Sequence, residues 1–248
     1  MDNAGRWIRP GTRARLPGNV VHLWRAALDG TERQLRRLET VLGSEERERA
    51  RAFRDDVDRK RYVASHGILR ILLSRYLKRE PQELEYLYDG LGKPRLSRGD
   101  DVPLSYSISH SSGMALYAFA SGHRIGVDLE YVQPLEGAQD IVVRYFAKDE
   151  TALLLGCDDD YHQEAFFRIW TLKEAYVKAI GEGMQCPFDR FSVSHCPIGE
   201  ADSARISDRG GAGVEWVLKT VIPSPRYIGA VAFEGSELFL TKFEWCEG

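Results

Sequence analysis

Residues 125–130, Ile125-Gly126-Val127-Asp128-Leu129-Glu130, decide how this chain is read. Apolar and other residues alternate without a break, the pattern of an extended strand whose successive side chains point to opposite faces. Ile125, Val127 and Leu129 then share one face, and Asp128 and Glu130 stand side by side on the other. Two neighbouring carboxylates repel unless a proton or a cation comes between them. Hard oxygen donors of this kind suit Mg²⁺ when a substrate phosphate completes the coordination shell. The same alternation fits the solvated outer face of an edge strand, so the strand alone leaves both readings open.

Working outward, residues 166–180 carry an apolar stripe at helical spacing: Phe166, Ile169, Trp170, Val177 and Ile180. Lys173 falls near the centre of the stripe, with Glu174 and Lys178 along one flank. Glu174 and Lys178 can form an i, i+4 ion pair worth about 0.2–0.5 kcal/mol while Lys173 snorkels to water. Alternatively, Glu174 is a third metal ligand and the lysines meet phosphate. Upstream, Ser109-His110-Ser111 lies in an expected loop around 105–113, with Ser107 and Ser112 nearby. Such a loop offers hydroxyls, amides and an imidazole to a diphosphate. Lys93, between Gly92 and Pro94, sits in a loop whose backbone can approach a ligand closely. The basic run Arg47, Arg49, Arg51, Arg54, Arg59, Lys60 and Arg61 interleaves with acids; a solvated helical face accounts for most of it and leaves one or two cations for a phosphate. The chain has no GxGxxG before a helix, no GxxxxGK[ST], no HExxH and no GxSxG.

At 248 residues the chain has room for two subdomains sharing one interface. A net charge of -3 and a pI near 6.1 argue against general nucleic-acid binding. Cys157, Cys186, Cys196 and Cys246 form no CxxC pair and read as reduced thiols of a cytoplasmic protein. No apolar run approaches the ~20 residues of a membrane span, and the first residues lack a signal-peptide core. Strands are expected at 20–28, 84–88, 114–120, 125–131, 191–194, 214–222, 227–234 and 238–245. The segments 114–120 and 125–131 are read as a hairpin across Ser121-Gly122-His123-Arg124. Helices are expected after Thr31, after Ser44, over 56–78, and over 138–146, 148–155 and 161–180. The fold class is α/β or α+β, with mainly antiparallel sheets packed with helices.

Taken in order, Gly92-Lys93-Pro94, Ser109-His110-Ser111, Gly126-Val127-Asp128-Leu129-Glu130 and Trp170-Thr171-Leu172-Lys173-Glu174-Ala175 with Lys178 resemble the signature of the 4'-phosphopantetheinyl transferases, in their surfactin-type (Sfp-like) branch. The similarity runs from about Val20 to Phe233. It implies a monomer of two similar lobes in a pseudo-twofold arrangement: a flexible leader over 1–18, an N-terminal lobe over 19–124 and a C-terminal lobe over 125–248. Coenzyme A would lie in the cleft between the lobes. Asp128, Glu130 and Glu174 would hold Mg²⁺ against its pyrophosphate, and Lys178, Lys93, Ser109 and His110 would contact its phosphates. Arg49 would meet the 3'-phosphate, and Glu174 would be a candidate general base, directly or through water. The implied reaction moves the 4'-phosphopantetheine arm to a serine of an apo acyl or peptidyl carrier protein and releases 3',5'-ADP, with no role for nucleic acid or membrane. Arg144 and Lys148 could face an acidic carrier helix. A non-catalytic carrier-binding relative, or another Mg²⁺-dependent phosphotransferase, would keep many of the same residues. Two positions depart from the family pattern. Ser107 stands where Asn is frequent, which removes an amide that could brace the loop. Glu46 stands where some members carry Lys or Arg, which leaves fewer cations for the 3'-phosphate.

Overall fold

Central strands of this chain, Met114–Ser121 and Tyr227–Glu234 among them, are apolar on both faces, and the architecture follows from that. The computed structural model describes residues 6–9, 15–88, 94–96, 104–183, 186–193, 203–207, 214–235 and 238–246. In chain order its elements are β1 (Val20–Ala27), α1 (Glu32–Thr40), α2 (Ser44–Ala52), α3 (Asp56–Leu77), β2 (Tyr86–Tyr88), β3 (Pro94–Leu96), β4 (Leu104–Ser111), β5 (Met114–Ser121), β6 (Ile125–Tyr131), α4 (Ala138–Tyr145), α5 (Lys148–Leu155), α6 (Asp159–Ile180), β7 (Ser203–Ser207), β8 (Glu215–Val221), β9 (Tyr227–Glu234) and β10 (Phe239–Glu244). One four-stranded sheet runs β10-β1-β5-β4, another runs β6-β9-β8-β7, and β2 and β3 form a separate ribbon. This is the expected mixed α/β class with mainly antiparallel sheets, the exception being the parallel pair β1 and β10.

The two large sheets pack face to face, each with a long helix on its outer side. Val21 and Leu23 of β1, Leu116, Ala118 and Ala120 of β5, Ile125, Val127 and Leu129 of β6, and Val231 and Phe233 of β9 meet in one buried cluster between the sheets. The opposite face of the first sheet, through Trp24, Tyr117 and Phe119, packs with Ile68, Leu69, Leu72 and Leu73 of α3. The opposite face of the second, through Trp216, Leu218, Ala230 and Ala232, packs with Phe166, Leu172, Tyr176 and Val177 of α6. Each large apolar side chain among these, fully buried, contributes about 1.5–3 kcal/mol, so period-two alternation sorts β1, β5, β8 and β9 between two cores.

Local chemistry sets the helix ends. Thr31 caps α1 in a capping box with Gln34. Asp55 caps α3 by accepting from the amides of Val57 and Asp58, and α3 ends at Lys78 in the left-handed region, φ 55°. Ser44 does not cap α2 as expected. It is the first helical residue, and the Glu46 carboxylate accepts from the Gly43 amide instead.

Several expected elements differ in the structure. Residues 114–121 and 125–131 do not form a hairpin: β5 pairs with β1 and β4, and β6 pairs with β9, so the chain passes between sheets at Ser121-Gly122-His123-Arg124. The expected loop over 105–113 is strand β4 through Ser111. Residues 191–193 form no strand; a 3-10 turn over Phe188–Arg190 precedes them, and side chains bind their backbone instead. Residues 239–244, placed by sequence with the second lobe, pair with β1 and complete the first sheet.

Candidate active site

Gly126 determines how closely α6 can approach β6. A Cβ at this position would lie 2.0 Å from the Ala175 carbonyl oxygen and 2.5 Å from the Ala179 amide nitrogen. Only a hydrogen lets the helix backbone rest on the strand there. Asp128 and Glu130 leave β6 on the same face as Gly126 and so point toward the helix. Glu174 and Lys178 each immediately precede one of the two alanines that touch the strand. Helix contact and strand alternation together bring the two separate motifs into one place.

The contacts are specific. Lys178 Nζ lies 2.6 Å from Asp128 Oδ1 and donates to Ser109 Oγ at 3.1 Å. Ser109 Oγ in turn donates to the same Oδ1 at 2.9 Å. Asp128 is 3% exposed, which excludes the solvated-face reading, and its Oδ2 is buried without a hydrogen-bond partner among the described residues. Ser111 Oγ donates to Glu130 Oε2 at 3.1 Å and accepts from the Tyr131 amide at 3.1 Å. Ser107 Oγ accepts from the Val127 amide at 3.1 Å. These alternate serines of β4, an edge strand of the first sheet, thus bind the edge strand of the second, so Ser107 braces the seam with a hydroxyl where the family often has an amide.

The electrostatics follow from burial. Burial, then the Asp128 charge and more weakly that of Glu174, push the Glu130 carboxyl up to about 7, against the Ser111 hydrogen bond and Lys178. Burial also raises Glu174, with Lys178 opposing and Asp128 adding to the shift. Half-buried carboxyls held above their ordinary range are common where a proton or a cation is to be handled. Among the described residues, no three His, Cys, Asp or Glu side chains are gathered closely enough to form a ready-made metal cluster.

Beside this cluster opens a cavity of about 350 Å³, lined by Glu46, Arg49, His66, Leu69, Tyr86, Ile108, Ser109, His110 and Lys178. His110 has an exposed edge, yet the surrounding walls, followed by the charge of Lys178, hold its imidazole below the ordinary histidine range. Glu46 brings no free negative charge to the cavity. It is buried, paired with Arg70 and bonded to the Gly43 amide. Arg70 also donates to the carbonyls of Pro81 and Leu84 and lies over the Tyr86 ring, fixing that wall.

The structure thus brings Asp128, Lys178 and Ser109 into direct contact and sets Ser109, His110, Lys178 and Arg49 around one cavity. Lys93 and Gly92 lie outside the described residues. Lys173 does not meet phosphate or water. Its Nζ is buried, 2.8 Å from Glu150 and 2.7 Å from the Phe191 carbonyl oxygen, and 4.2 Å from the centre of the Phe191 ring. Burial pulls its ammonium below the usual lysine range against the stabilising Glu150 charge. Glu150 also accepts from the amides of Ala147 and Val193, so the pair pins the start of α5 and residues 191–193 to α6. Glu150, Arg70 and His66 were not singled out by sequence. A lysine at the centre of an apolar stripe, read as snorkelling or phosphate-binding, was the one signal from which a buried acid could have been sought, and spacing could not say which one. Arg144 lies over the Tyr145 ring on α4.

A carboxylate and lysine cluster at the seam of two helix-backed sheets, opening onto a basic cavity, has the chemistry to hold a phosphate or a hard cation. Comparison with known proteins gives the family. The sequence model described as the 4'-phosphopantetheinyl transferase superfamily matches residues 124–231. The chain is 35% identical over 230 residues to the 4'-phosphopantetheinyl transferase HetI of Nostoc sp., covering 92% of this chain and 94% of that protein. It is 31% identical over 158 residues to the 4'-phosphopantetheinyl transferase Sfp of Bacillus subtilis, covering 63% of this chain and 68% of Sfp. The chain belongs to the 4'-phosphopantetheinyl transferase superfamily and is an enzyme of that class.

Proposed function

We propose that this chain transfers the 4'-phosphopantetheine arm of coenzyme A to a serine of an apo acyl or peptidyl carrier protein, with release of 3',5'-ADP. One observation carries the placement of the reaction: Lys178 binds Asp128 and Ser109 at the sheet seam and at the same time lines the adjoining cavity. The donors Arg49, His110 and Lys178 then suit the coenzyme's phosphates, as the resemblance implied, with Arg49 toward the 3'-phosphate.

The site's donor chemistry fits a divalent cation. Asp128 Oδ2 is buried and unpartnered, and Glu130 and Glu174 are both held above the ordinary carboxyl range. Asp128, Glu130 and Glu174 would hold Mg²⁺, a hard ion that is commonly bound by one or two carboxylates together with substrate phosphate oxygens. That would not require a preassembled protein cluster. When bound, Mg²⁺ supplies neutralisation of the diphosphate charge. In the transfer, the carrier serine Oγ forms a bond to the coenzyme's β-phosphorus as the bond to the bridging oxygen breaks. Glu174, directly or through a water, accepts the serine proton. Lys178 and His110 stabilise the charge on the phosphoryl and leaving oxygens.

The test is transfer to an apo carrier protein with coenzyme A and Mg²⁺, read by intact mass. Asp128→Ala and Glu174→Ala should abolish the mass gain while leaving folded protein by circular dichroism. Normal turnover in either would remove that residue from the mechanism. Coenzyme binding without transfer by the unaltered chain would favour a carrier-binding role, and cleavage without transfer a hydrolase.

A further inference from the structure

The cavity has two kinds of lining. Arg49, His110 and Lys178 are donors suited to phosphate, whereas Leu69, Ile108 and Tyr86 are largely apolar. His66, on the same face of α3 as Leu69, fits neither group. Its ring stacks on Tyr62 with centroids 4.0 Å apart, and its Nδ1 lies 3.1 Å from the Tyr62 carbonyl oxygen. A carbonyl can only accept, so Nδ1 carries the ring proton. Ser65 Oγ, 3.1 Å from Nδ1, directs its own hydrogen to that carbonyl. Nε2, on the opposite ring edge, is left with a bare lone pair and no hydrogen-bond partner among the described residues. Burial holds the imidazole down to about 4, so the lone pair persists at neutral pH. Glu46, another acceptor in the lining, is already taken by Arg70 and the Gly43 amide.

A fixed, neutral acceptor is poorly matched to a phosphate and well matched to an N–H. We propose that His66 Nε2 accepts a hydrogen bond from the exocyclic amine of the coenzyme's adenine, whose faces rest on the apolar lining. His66 is then a nucleobase-specificity residue. This rests on the reading that coenzyme A occupies the cavity.

The test is calorimetry of the full chain with adenosine 3',5'-bisphosphate and with purine riboside 3',5'-bisphosphate, which lacks the amine. One neutral hydrogen bond predicts that the adenosine compound binds about fivefold more tightly. His66→Asn keeps a polar atom near the Nδ1 position and loses the one at Nε2. Its ratio should fall to near one through weaker binding of the adenosine compound alone. His66→Gln, whose amide oxygen reaches the Nε2 position, should restore the preference. Equal affinities in the unaltered chain, a preference kept by His66→Asn, or equal weakening of both compounds in that variant would each overturn the proposal. If neither compound binds the unaltered chain, the coenzyme reading fails as well; if both bind without discrimination, only the role of His66 falls.

Discussion

Gly126→Ala tests how the strand and helix motifs are joined. The added methyl carbon would sit 2.0 Å from the Ala175 carbonyl oxygen, where ordinary contact begins at 3.4 Å. Both colliding atoms are backbone, so no side chain can swing away; α6 must retreat at Ala175 by something over ~1 Å. Overpacking of this kind costs about 1–3 kcal/mol, which in a chain of this size lowers the melting temperature by roughly 2–4 °C per kcal/mol. The larger effect falls on activity, because Glu174 and Lys178 ride on the displaced turns while Asp128 and Glu130 stay on β6. A misplacement near 1 Å can cost about a hundredfold in rate. The assay is phosphopantetheine transfer by intact mass alongside calorimetric melting. Turnover should fall by about two orders of magnitude. Coenzyme affinity should fall less, since Arg49 and His110 belong to the other sheet's side of the cavity. An alanine variant with a lowered melting temperature but full turnover would refute the claim that helix seating sets the site, and one unchanged in both would refute the packing argument itself.

Two further outcomes follow from the buried ionisable groups. Lys173→Met leaves the fully buried Glu150 without its cation, which should cost about 3–5 kcal/mol in urea denaturation. Adding Glu150→Gln, which removes the charge but keeps only one of the two amide hydrogen bonds, because Ala147 binds Oε2 and Val193 binds Oε1, should recover part of that loss; no recovery would mean that the pair is not the source of the effect. Glu130 predicts a pH dependence. Its native carboxyl titrates at about 7, above the ordinary value of 4.5, so the native state binds the proton more tightly than the unfolded chain. The stability this provides is present below about 4.5 and drains away as pH rises to about 7. His22 and His66, both lowered to about 4, have the opposite slope over part of that window. The diagnostic quantity is therefore the difference between Glu130→Gln and the unaltered metal-free protein. Melting curves should show the variant gaining relative stability as pH rises from 4.5 to 7. A difference that does not vary with pH would contradict the assignment.

The alternation of residues 125–130 was legible because strand periodicity needs no knowledge of neighbours, and the same holds for the stripe on α6. Pairing partners were harder to read. Neighbouring strands joined by a short turn suggest a hairpin, yet β5 pairs with β1 and β4 and β6 pairs with β9, and the two strands meet only through the alternate residues that face the core between the sheets. The serine-rich stretch before Gly113 has the composition of a loop. It forms a strand because Ser107 and Ser111 offer their hydroxyls to amides of β6, a requirement that arises only once the sheets meet. Lys173 and Lys178 look equivalent along the sequence. They differ because Glu150 lies across the fold from one and Asp128 from the other. Such long-range charge pairing is set by tertiary contact, and spacing carries no record of it.

The parallel pairing of β1 with β10 bears on how the molecule is made. During synthesis β1 and β5 emerge early and can join β4 and α3, but one flank of β1 stays open until residues 239–244 leave the ribosome. An exposed strand flank invites association with other chains. The nascent protein must therefore shield an adhesive edge between the making of β1 and that of β10, and a product terminated in that interval would keep it.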